Sequence, residues 1–149
     1  VQAAAPYYGV YDFTRFEDAM HPMMPALLVK SVVKERPSTN MQAYITASPV
    51  NHVSASAPPF FVLHGRNDSL VPVEQARGFV ERLRQSSSQP VVYAELPFTQ
   101  HAFDIFGSAR AAHAAVAVEQ FLAQVYATTM DNAYPQTPCP DVVNVSNPG

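Results

Sequence analysis

Cysteine is nearly absent. Cys139 is the single one in 149 residues, so the chain cannot close an internal disulfide, and its spacing leaves the redox compartment undecided. Long apolar runs are missing too: none approaches the roughly 20 residues that cross a bilayer as a helix. Basic residues are few, nine Lys and Arg against twelve Asp and Glu, giving a net charge of -3 with no basic cluster. That balance excludes the electrostatic footprint of a nucleic-acid binder. There is no initiating Met and no signal-peptide pattern, so the chain is expected to be processed or cut from something longer, and cytoplasmic and cell-envelope placements both stay open. Glycine is scarce as well. The five glycines stand at 9, 65, 78, 107 and 149, with no two adjacent and no two four positions apart.

What is present reads as one globular domain, 48% apolar and 14% charged, without internal repeats. Residues 1–8 are rich in Ala and Tyr and predict a strand that closes near Gly9. Thr14 and Glu17 fit a capping box, which predicts a short helix from Thr14. Pro22 and Pro25 interrupt it. Residues 24–34 predict a second short helix with Pro25 in its first turn, and residues 38–47 a third. Residues 14–57 thus form a helical, lid-like insertion. A regular α/β part follows. Residues 59–63 are a buried-strand run. Pro72 opens a helix whose Ala76, Phe79, Val80 and Leu83 recur at helical spacing. Residues 91–96 are a further strand. Residues 108–126 predict a long helix with Ala111, Ala114, Ala115, Val118, Phe121, Leu122 and Val125 on one face. From Thr128 the helical pattern ends, and residues 128–149, with four prolines, read as a disordered tail. Strand, helix, strand and helix with short connections predict parallel neighbours joined by a right-handed crossover.

Functional groups in such sheets gather at the carboxyl ends of the strands. Asp68 lies there in "FFVLHGRNDSLVPVEQ", and His101 in "LPFTQHAFD", 33 positions later. Asp68 alone could be turn punctuation. Together, an acid that fixes the tautomer of an imidazole, and an imidazole that deprotonates a hydroxyl, make two thirds of a nucleophilic triad. The order acid then base suits the end of an α/β-hydrolase.

At these residues the sequence resembles a known family. "PPFFVLHGRNDSLVPVEQARGFVERLR", "PVVYAELPFTQHAFDIF" and "AVAVEQFLAQV" look like the C-terminal part of α/β-hydrolase esterases and lipases. The resemblance is nearest to the Lip-type carboxylesterases of mycobacteria, close to the hormone-sensitive-lipase group. It covers roughly residues 5–126. It implies an α/β fold, the C-terminal portion of an α/β-hydrolase, with about three parallel strands, flanking helices and a lid-like insertion. Residues 1–127 would be that portion and residues 128–149 the tail. Asp68 matches the triad acid and His101 the base, acting on an ester substrate without cofactor or metal. The family's Gly-x-Ser-x-Gly nucleophile and its HGGG-type oxyanion loop are not in this sequence, and both are expected upstream of Val1. An alternative of another class is a degenerate, non-catalytic half that binds a partner, and a third is a peptidase of the same fold.

Other residues carry weaker expectations. Asp12 is the runner-up acid. Asp104 could pair with His101 as metal ligands, but reads rather as a cap near Ser108 or an arginine partner. His64 reads as a hydrogen-bonded structural histidine. His21, His52 and His113 read as surface or lid residues. Ser69 lacks the glycine elbow of a nucleophile. Met20, Met23, Met24 and Met41 lie in the insertion, where thioethers suit either packing or an acyl chain. Met23, Met24 and Phe103 are the candidate substrate contacts. The uncharged edge of residues 3–8 is expected to be covered, by the missing N-terminal half or by a second copy of the chain.

Overall fold

Two six-residue runs, Phe60–Gly65 and Val91–Leu96, form strands β1 and β2 of a parallel pair in a computed structural model that describes residues 1–15 and 23–133. Their register sets Phe60 against Val91 and Gly65 against Leu96. Both strands therefore end at the same edge. Ahead of β1 stand the helices α1 (Met23–Leu27), which continues as a π-helical turn (Leu28–Val32), and α2 (Met41–Ala47), followed by a 3-10 turn (Pro49–His52). Between the strands runs α3 (Val73–Ser86), and after β2 comes α4 (Ala109–Ala133).

Side chains alternate across a strand, and β1 uses both of its faces. Val62 meets Ala76, Phe79, Val80 and Leu83 of α3, together with Tyr11, whose ring stacks on Phe79 at 4.2 Å. Phe61 and Leu63 meet Ala114 and Phe121 of α4 on the other side. A parallel strand covered on both faces is the normal condition in this class. The α3 stripe expected from the sequence is the one buried.

The α4 stripe is turned from expectation. Ala114, Ala117, Val118, Phe121 and Val125 face the sheet, while Ala115 is exposed and Leu122 is 42% exposed. One residue along a helix is about 100° around it, so Ala115 and Leu122 each sit a third of a turn off the seam. α4 also runs through Ala133, past the expected end at Tyr126. No Gly or Pro interrupts it before Pro135, and Thr128 and Thr129 return their hydroxyls to the carbonyls of Gln124 and Val125.

Residues 1–8 run parallel to β1 but are not a continuous strand. They bridge it at Ala4 with Phe60 and Tyr7 with Leu63. The amides of Ala4 and Tyr8 donate to Pro59 and Leu63, and Ala4 and Pro6 accept from Phe61 and Leu63. The bond due from residue 6 cannot form, because Pro6 has no N–H.

The Thr14 amide and hydroxyl both donate to Asp12 Oδ1, at 2.9 and 2.6 Å, so Thr14 closes a turn. Glu17, Met20 and His21, like Cys139 and residues 134–149, lie outside the described residues. Asn40 caps α2 by accepting from the Ala43 amide. Tyr44 of α2 is fully buried, and with Val71 it gathers Val10, Phe13, Val29, Val33 and Leu70. The insertion thus packs on the loop that follows β1, the loop that carries Asp68.

Candidate active site

That loop begins where β1 ends. The Arg66 amide still bonds to Leu96 of β2, and the Asn67 amide donates to Thr99 beyond it. The chain then turns, with the Asp68 amide donating to Gly65 at 3.2 Å. Asp68 Oδ1 accepts from the amides of Leu70 and Val71, at 2.9 and 2.8 Å. The carboxylate is held by its own loop before any other side chain reaches it.

The loop after β2 brings His101 to the other oxygen. His101 Nδ1 lies 2.8 Å from Asp68 Oδ2, with the Asp68 side chain fully buried and the imidazole 25% exposed. An ionised carboxylate can only accept, so Nδ1 carries the hydrogen and Nε2 keeps a lone pair. Among the described residues Nε2 has no hydrogen-bond partner. His64 Nε2 is also near Asp68 Oδ2, at 3.4 Å.

Burial pushes the Asp68 carboxyl up. Hydrogen bonds from His64, Val71, His101 and Leu70 outweigh it, and the group is held below its ordinary value of 3.8. Asp68 is therefore an anion across the neutral range.

Gly65 lets the two loops meet. A Cβ there would strike the Thr99 carbonyl oxygen, lie 2.8 Å from the Thr99 carbonyl carbon and 3.0 Å from the Gln100 oxygen. Gln100 also accepts from the Ser69 amide, tying the loops a second time. Phe98 and Ala102 flank His101 with φ of 53° and 56°. Non-glycine residues there are uncommon and costly.

Tyr8 closes the third side. Its ring centroid is 4.4 Å from that of His101, and its hydroxyl donates to Asp104 at 2.7 Å. The bond to Asp104, then burial and nearby negative charge, push the Tyr8 phenol up to about 12, so it stays a donor. Tyr8 itself has φ of 38°. Sequence reasoning passed over Tyr8, since nothing local marks a contact across more than ninety residues.

Asp68 and His101 are thus neighbours, as their strand-end positions predict. Asp12 is elsewhere: it holds the Thr14 turn, and Gln75 of α3 clips its backbone through the Tyr11 and Asp12 amides. Asp104 neither caps α4 nor meets an arginine as expected. Its Oδ1 is engaged by Tyr8, and Ser108 takes the capping role by accepting from Ala111. Phe103 stacks on Tyr7 at 5.8 Å and meets the Tyr8 ring edge-on at 5.9 Å, beside the pair. Met23 opens α1 and is 58% exposed, and Met24 follows it in the helix. Ser69 is exposed next to Asp68. A cavity of about 540 Å³ lies at the opposite end of the strands, lined by Val1, Pro59, Pro90 and Phe121 among others.

The BD-FAE family pattern matches residues 1–83, more than half of the chain. The chain belongs to the BD-FAE family. Two curated relatives are from Mycobacterium tuberculosis (strain ATCC 25618 / H37Rv). One is named "Probable carboxylic ester hydrolase LipM" and is 77% identical over 128 residues, covering 86% of this chain and 30% of LipM. The other is named "Esterase LipQ" and is 47% identical over 130 residues, covering 87% of this chain and 31% of LipQ. This BD-FAE chain thus spans less than a third of the relatives it matches. Among solved structures, the butyrate-bound esterase of Thermogutta terrifontis superposes with a TM-score of 0.61 at 21% identity, covering 84% of this chain and 44% of that one. The fold shared with it is α/β, and the mycobacterial Lip relatives agree with the resemblance read from the sequence.

Proposed function

We propose that this chain is part of a serine carboxylic ester hydrolase and supplies its acid and base. The observation that carries the reading is the 2.8 Å contact between His101 Nδ1 and the buried Asp68 carboxylate. Asp68 holds the imidazole in the tautomer whose Nε2 can accept a proton. His101 then takes the proton of a serine hydroxyl as its oxygen attacks the ester carbonyl. It returns that proton to the departing alcohol, leaving an acyl-enzyme. Water, deprotonated in turn by His101, releases the acid. The serine and the oxyanion donors come from outside these 149 residues. The scheme draws on no metal or cofactor.

The names of LipM and LipQ support the ester as substrate. In this reading Phe103 contacts the acyl chain beside His101, and Met23 and Met24 do so from the insertion of residues 14–57. Residues 1–127 form the hydrolase portion and residues 128–149 follow it, the first of them still in α4. The test is hydrolysis of a short acyl ester of a chromogenic phenol by the full-length protein. His101→Ala is expected to lower kcat by about 10⁴-fold or more. A loss under tenfold removes His101 from the mechanism.

A further inference from the structure

His64 is a fully buried titratable side chain, at 0% relative exposure, to which the scheme above gives no task. It sits at the carboxyl end of β1, four residues before Asp68. Its Nε2 lies 2.9 Å from the Val71 carbonyl oxygen and 3.4 Å from Asp68 Oδ2. Neither oxygen can donate, so the hydrogen is on Nε2; it bonds to the Val71 carbonyl, and Asp68 Oδ2 lies at the longer, ion-pair distance. Nδ1 is buried and, among the described residues, has no hydrogen-bond partner. A hydrogen on that nitrogen would be an unpaired buried donor, which the fold would have to tolerate at a cost. The ring therefore sits as the Nε2–H tautomer.

This leaves an imidazole that accepts an unmet polar atom in order to place one hydrogen. A Leu or Val at the end of an otherwise apolar strand would avoid that cost. The gain lies at Asp68. Its Oδ1 is fixed by two loop amides, but its Oδ2 is the oxygen that His101 uses. One further donor on Oδ2 fixes the plane of the carboxylate about its last bond. Val71 joins the two halves, because its amide holds Oδ1 and its carbonyl holds His64.

We propose that His64 is a positioning residue for the acid–base pair, its Nε2–H holding Asp68 Oδ2 in line with His101 Nδ1. The proposal rests on the reading of Asp68 and His101 as that pair. His64 touches neither substrate nor reacting atoms in this account.

Three measurements on the full-length protein test it. In protein labelled with ¹⁵N in its histidine rings, the His64 signals should show Nε2 protonated and Nδ1 bare. A bare Nε2 overturns the proposal outright, whatever the variants do. His64→Leu, close in volume, removes the donor. It should lower kcat by about ten- to a hundredfold, the usual effect of losing a hydrogen bond to a charged group, and leave KM within about twofold. His64→Gln puts an amide N–H near the place of Nε2 and should recover most of that loss. Equal losses in the two variants, or a loss in KM alone, assign His64 a packing role and sink the idea. Failure of the underlying reading looks different: His101→Ala would then be nearly as active as the parent, whereas a dead His101→Ala beside a fully active His64→Leu rejects only the role of His64.

Discussion

At the scale of single residues, Asp68 is a carboxylate pulled in two directions. Removing it from water favours the neutral form. Two amides and two imidazoles favour the anion, and together they win. Its stability contribution follows from the sign of that result. With a native value below 3.8, the unfolded chain takes up the proton first as the pH falls. Stability from Asp68 is fully present above the unfolded value, and is lost as the pH drops through the lowered native one. Asp68→Asn carries no such dependence. In urea unfolding, the advantage of the parent over Asp68→Asn should shrink as the pH is taken from neutral to below about 4. An advantage that is constant across that range would show that the carboxylate is not stabilised as described.

At the scale of elements, the site depends on two loops packed backbone to backbone. Gly65 ends β1 where Thr99 and Gln100 cross it, and all three close contacts of an added Cβ are main-chain atoms. No rotamer can relieve them. Gly65→Ala should destabilise the protein by about 1–3 kcal/mol, as overpacking does, and should lower turnover by moving His101, which follows Gln100. Unfolding midpoints and kcat measured on the same variant check this; unchanged values for both would mean the loop is held by something else. The sequence made β1, α3 and β2 readable because each carries one clear period between turn residues. Asp68 and His101 were readable for a related reason, since parallel strands send both loops to one edge. Tyr8, Gln100 and the close approach at Gly65 were not, because each depends on a contact between distant segments that no local pattern encodes. The end of α4 was misplaced because Met130 is its one large apolar side chain after Tyr126, and threonine hydroxyls return to the helix carbonyls there. The strand expected over residues 1–8 proved to be a pair of bridges because one proline removes one donor.

At the scale of the whole molecule, β1 is paired on both sides while the segment outside it is paired on one. Among the described residues, nothing bonds to the outer edge of residues 3–8, and Ala3, Ala4, Ala5, Tyr7 and Tyr8 bring no charge to guard it. The isolated 149-residue chain is expected to associate through this edge, either with another copy or with the remainder of the protein when that is supplied. Light scattering that finds a monomer, together with slow amide exchange throughout residues 3–8, would refute this. The central claim, however, is that Asp68 works through His101. A double-mutant cycle on ester hydrolysis by the full-length protein tests it most directly. If the two act as a unit, Asp68→Asn and His101→Ala each remove most of the rate, and the double variant is little worse than His101→Ala alone. If instead the two losses multiply, Asp68 and His101 act independently, and the account of the site is wrong.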